Sequence, residues 1–135
     1  MGAWGTAVFS DDSALDSLEA LVSAKSPTNY MREAFDAALG SEYLEYDAAH
    51  AVLVSAAVMD TILNSTSHAD NPESLELWLS DNAGLNVAPL KPLAKAAIAR
   101  VLSTGSELEE LWRENAGDYP AWRAGVEAIS LRLNA

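Results

Sequence analysis

Residues 46–63 read YDAAHAVLVSAAVMDTIL, a run that is apolar on nearly every side when wound as a helix and rich in Ala where neighbouring helices can approach closely. A helix of that kind does not lie on a surface. It predicts a central helix between about Glu45 and Asn64 with other elements packed around it. Helical spacing of apolar residues recurs almost throughout the chain, and only Thr6 to Phe9 shows clean apolar and polar alternation. The expected class is all-α, a single compact bundle of about seven helices within one domain, 1–135.

The punctuation of the other helices follows from caps and breakers. A first helix is expected after Ser10 or Asp12 as N-cap, turning Leu15, Leu18 and Val22 inward and stopping before Pro27. The second spans about Thr28 to Leu39, with Met31, Ala34, Phe35, Ala38 and Leu39 inward and Gly40 at C′. Asn71 and Pro72 suit the cap and first turn of a short helix bearing Leu75, Trp78 and Leu79 and ending near Gly84. Pro89 and Pro92 mark the start of a stripe made by Leu90, Leu93, Ala94, Ala97, Ile98, Val101 and Leu102, closed by Gly105. Ser106 and Glu109 read as a capping box for a helix with Leu108, Leu111 and Trp112. Asp118 is the expected cap of a last one with Trp122, Val126, Ile129 and Leu133.

With 135 residues, half of them hydrophobic, such a chain can bury a core without staples, and it contains no cysteine. Disulfides and thiolate metal sites are thereby excluded, which suits a reducing cytoplasm. The longest mostly apolar segment, Ala51 to Met59, is too short to span a bilayer, so a soluble protein without membrane contact is expected. Net charge is −12, and all of the excess lies in residues 1–82, where 14 acidic side chains meet Lys25 and Arg32. Residues 83–135 carry six of each sign. A surface so charged argues against nucleic acid, whose binding needs Lys and Arg, and for a basic protein partner steered by its field. Solubility alone is the plainer explanation of the same charge.

The stretches MGAWGTAVFSDDSALD, LKPLAKAAIARVL, ELEELWREN and WRAGVEAISLRL, together with the Ala-rich central helix, resemble a small bacterial family of uncharacterised domains. Its members open Met-Gly-Ala-Trp-Gly-x-Gly-x-Phe, followed by acidic residues, and the likeness covers nearly the whole chain. Ala7 stands where that family usually has a second Gly, and Ser55 where its central helix often carries Glu. The resemblance implies no activity. In the same opening, Trp4 between Gly2 and Gly5 reads as an apolar anchor for the terminus. MGAWGT also fits the pattern for N-myristoylation at Gly2, but a single acyl chain needs a second signal, and Asp11, Asp12, Asp16 and Glu19 would repel anionic membrane.

Four constellations carry possible chemistry. Asp12, Asp16 and Glu19 share one helical face at i, i+4 and i+7, where they could hold a hard cation or simply complement the helix dipole. Asp47 and His50 are i, i+3 and could orient a base, although a His beside an Asp on a buried helix is more often a satisfied core group. His68 lies in a polar loop, and two histidines without cysteine exclude a His-rich zinc site but not one or two His joined by carboxylates. Glu42, Tyr43, Glu45 and Tyr46 form an acidic and aromatic connection suited to protein recognition, or equally to packing its tyrosines inward. Trp78, Trp112 and Trp122 fall on apolar stripes and are assigned to the core. No nucleophile elbow, phosphate loop, zincin or dinucleotide motif occurs.

The leading expectation is therefore a non-enzymatic, cytoplasmic, acidic protein-binding module without cofactor, immunity-like in one concrete version. Its binding should weaken with salt, and charge reversal at Glu42 and Glu45 should slow association. The alternatives are an enzyme or metal-dependent protein built on Asp47/His50 or on the Asp12/Asp16/Glu19 row, and a structural domain with no strong ligand.

Overall fold

Asp11 starts the first helix: its backbone is extended and its carboxylate accepts the amides of Ser13 (2.7 Å) and Ala14 (3.4 Å). The computed structural model describes residues 5–134; the readings made for Gly2 and Trp4 lie outside them. The cap falls between the two expected positions because the Ser10 hydroxyl donates instead to Asp70. Helix α1 (Asp12–Ser23) buries Ala14, Leu18 and Leu21, while Leu15 and Val22 stay half-buried beside a groove that reaches Pro72. Helix α2 (Pro27–Leu39) takes Ser26 as its cap and buries Met31, Phe35 and Ala38. Leu39, expected inside, is 42% exposed. Gly40 ends the helix at φ −86°, so no left-handed C′ residue is used.

Helix α3 (Tyr46–Asn64) is the axis of the bundle. Ala49, His50 and every residue from Val52 to Asp60 are buried, and α1, α2, α5, α6 and α7 all pack against it. Its alanines let those neighbours come close, as their spacing predicts. By length and hydropathy alone Tyr46–Asn64 is long enough to cross a membrane, longer than the apolar run read from sequence, but 61% of that window is buried within the fold. Burial among other helices is the pattern of a core helix.

The remaining elements are α4 (Glu73–Asp81), a 3-10 turn (Ala88–Leu90) running directly into α5 (Lys91–Val101), α6 (Glu107–Glu114) and α7 (Tyr119–Arg132). Among the described residues there are seven α-helices and no strand, and the one isolated bridge joins Leu44 to Ser106. Helix α4 packs on α1, buries only Leu75 fully and leaves Leu77 65% exposed, so Trp78 is half-buried and not the core residue expected. Pro72, not Asn71, occupies its cap position, and no side chain caps it. Trp112 and Trp122 are core residues, stacked at 5.9 Å.

Two further caps differ from expectation. Ser106 has the extended backbone of an N-cap and its carbonyl accepts Glu110 N, but its hydroxyl is buried without a partner and caps nothing, and Glu109 turns away into a buried contact with Arg113 and Tyr119. Burial pushes the Glu109 carboxyl up, yet the hydrogen bonds from Arg113 and Tyr119 outweigh it and hold the group below its usual range. Asp118 stands at the N-cap of α7 but accepts from Asn115 instead of capping.

The C-cap of α3 is Ser65 at φ 57°, a left-handed conformation that costs an L side chain about 1 kcal/mol. Ser65→Gly is therefore expected to raise stability by about 1 kcal/mol, read from the urea unfolding midpoint; an unchanged or lowered midpoint would show that the hydroxyl compensates for the backbone.

Candidate functional site

The connection from α2 to α3 is clamped to the turn that precedes α6. Leu44 donates its amide to Gly105 O (2.8 Å), and its carbonyl accepts from Glu107 N (2.8 Å). Arg100, at the end of α5, donates to the carbonyls of Ser41, Glu42 and Gly105 at 3.1–3.2 Å. Gly105 has φ +84°, a left-handed backbone that strains any side chain, although a Cβ there would meet the Glu42 carbonyl only at contact distance, 3.4 Å. The Glu107 carboxylate accepts the Tyr46 amide (2.8 Å), which supplies α3 with the cap that Glu45 does not provide.

This clamp separates the two tyrosines of the connection. Tyr43 points outward, 48% exposed, and its hydroxyl donates to Glu110 at 2.9 Å. The Glu110 bond, with Glu107 and Glu45 nearby, pushes its phenol up to about 12. Tyr46 turns inward and donates to Asp11; burial and that carboxylate raise its pKa. Glu42 and Glu45 are exposed. The site is thus a half-exposed ring on which Glu45, Glu107 and Glu110 act, with the exposed Glu42 its neighbour in the chain. Glu42 and Glu45 are legible in the sequence; Glu107 and Glu110 are not, because a charge count along the chain places them in the neutral segment.

The other candidates are arranged differently. Asp12, Asp16 and Glu19 are all exposed, and among the described residues no group of three or more His, Asp or Glu is placed to hold a metal ion. Asp47 is exposed too and does not partner His50. His50 is buried, with its Nε2 3.5 Å from Asp11 and its ring edge-on to Tyr46 at 4.6 Å. The i, i+3 spacing suggested Asp47, but α1 brings a carboxylate from outside the helix against the buried face. Burial alone would raise the Asp11 carboxyl. His50, the Tyr46 hydroxyl and the Ser13 amide outweigh that and hold it down to about 2.

A second buried carboxylate was not singled out from sequence. Asp60 is fully buried near the end of α3 and accepts from Arg132 Nε (2.7 Å), Asn64 (2.9 Å) and Thr66 (3.0 Å). His68 Nε2 lies 3.3 Å away. Burial lowers the His68 pKa more than Asp60 raises it. Its signal was an acid inside an otherwise apolar helix, which must find partners once buried. Of the 14 acidic residues in 1–82, only Asp11 and Asp60 are buried; the other twelve are exposed.

Residues 2–125 match the family described as "Domain of unknown function (DUF4259)". No curated protein and no solved structure matches the chain.

Proposed function

We propose, for a chain that belongs to this family of unknown function, that it is a cytoplasmic, non-enzymatic binding module whose acidic surface around Tyr43 takes a basic protein partner. An immunity-like neutralisation of a basic toxin is one concrete form. The observation that carries the reading is the setting of Tyr43: an accessible aromatic face ringed by carboxylates from two distant segments. A guanidinium or ammonium group from a partner gains there both a cation–π contact and charge-assisted hydrogen bonds. The clamp through Arg100 and Leu44 holds this arrangement in place before binding, which lowers the ordering penalty of association. The twelve exposed acids of the first 82 residues add a long-range field that favours encounter.

Affinity capture from host lysate with quantitative mass spectrometry tests it, comparing the native chain with a Glu42→Lys/Glu45→Lys variant and with Tyr43→Ala. All three positions are exposed, so the variants are expected to keep the helical circular dichroism spectrum. A basic protein should be retained at low salt, released as salt rises, and recovered at least about tenfold less with either variant. Capture that is indifferent to salt and to both variants would refute the reading.

A further inference from the structure

At the opposite end of α3, about 28 Å along the helix from the Tyr43 surface, the carboxyl terminus of the helix, residues 65–71 and α4 border an open cleft of about 430 Å³. That volume lies in the range of small-molecule sites, about 300–1,000 Å³. We propose that this cleft binds a small amphiphilic primary amine.

The lining decides the sign of the ligand. Glu76 contributes a carboxylate, Ser65, Ser67 and Ser80 contribute hydroxyls, and no Lys, Arg or His takes part. Asn71 also lines the cleft; its Oδ1 has no hydrogen-bond partner but is shielded from solvent, so a ligand donor reaches it only when the side chain turns toward the cleft. The last carbonyls of α3 present the negative end of the helix dipole at the same place. An anion meets repulsion at the Glu76 carboxylate and at the helix terminus, whereas the three hydroxyls donate or accept and suit either sign. An ammonium, with three donors and a positive charge, matches them. Ile62 and Leu79 on the wall give a short methylene chain somewhere to lie.

The wall is formed in advance of any ligand. Thr61 donates to the Thr66 carbonyl (2.8 Å), Thr66 to Asp60 (3.0 Å), and Asp70 accepts from Ser10. Ser65 and Asp70 stand at the two ends of this loop and are the two non-glycine residues with positive φ among the described residues. Left-handed backbone at a non-glycine residue persists where the surroundings hold it, and such positions gather at ligand clamps.

The test is a titration of the ¹⁵N-labelled full chain with n-pentylamine followed by amide chemical shifts, with pentanoate and pentanol as matched controls. Pentylamine should give saturable shifts confined to Thr61–Ser67, Asn71 and Leu79–Ala83. Pentanoate should give none there, and pentanol should bind more weakly than the amine. Glu76→Gln, at an exposed position that leaves the core intact, should weaken the amine about tenfold, the loss of one charge-assisted contact. Shifts scattered over the exposed carboxylates, equal binding of pentanoate, or an unaltered affinity in Glu76→Gln would overturn the proposal. None of these readouts involves Tyr43, so the cleft and the acidic surface stand or fall separately.

Discussion

Asp60→Ala is expected to destabilise the fold by about 3–5 kcal/mol, the cost of removing one member of a buried ion pair and stranding the others. Asp60 is fully buried, and four side chains converge on it: Arg132, Asn64, Thr66 and His68. Arg132 keeps some access to water with its side chain 38% exposed, so Arg132→Ala should cost less, about 1–2 kcal/mol. The pair of variants separates two roles of the carboxylate. If Asp60 served only to neutralise Arg132, the two substitutions would cost the same. Because it also ties the 66–68 loop to α3, Asp60→Ala should cost more and expose the loop to proteolysis. Urea denaturation followed by circular dichroism measures the first effect and limited proteolysis the second; a loss below about 1 kcal/mol for Asp60→Ala would show that water replaces the carboxylate at little expense.

Acid should weaken the fold through Asp11. Its carboxyl titrates at about 2 in the folded chain against an ordinary 3.8. A folded value below the unfolded one means that the ionised form is favoured by folding. The stabilisation is therefore complete above about pH 5 and is lost as pH falls through 3.8 toward 2. Allowing for solvent screening, the loss is about 1–2 kcal/mol. Asp11→Asn supplies the comparison, since Asn still caps a helix but does not titrate. Native chain and variant should differ most near neutrality and converge by about pH 2, as read from unfolding midpoints across the range. A difference that is constant with pH would mean that the Asp11 contacts with Tyr46 and His50 contribute nothing through charge.

Most of the fold was legible because apolar periodicity is a local signal. The central helix is dictated by its own residues: no placement of 46–64 on a surface would spare so many apolar side chains from water. Proline and serine at Ser26–Pro27 set the start of α2 in the same local way. Apolar periodicity carries no information on side-chain partnership across the chain. Ser106 and Glu109 satisfy the spacing of a capping box, yet the Ser106 hydroxyl is buried without a partner, and Arg113 and Tyr119 claim Glu109. Asp47 has the right spacing for His50, but the burial of that face favours Asp11, which arrives from another helix. Trp78 lies on an apolar stripe, but α4 is too short and too lightly packed to cover it. Of the candidate interaction residues, Glu42, Tyr43 and Glu45 are accessible and Tyr46 is drawn inward, a division that depends on Leu44 being buried between them.

The pairing of Leu44 with the turn at Gly105 and Ser106 has one more consequence. Tyr43 and Glu110 are 67 positions apart, so the array they form exists only while the two regions are closed upon each other. A row of acids along a single peptide survives denaturation and truncation; an epitope divided between two stretches vanishes with either. A partner that bound across both stretches, as proposed, would discriminate finished molecules from nascent, damaged or clipped ones with no separate inspection step.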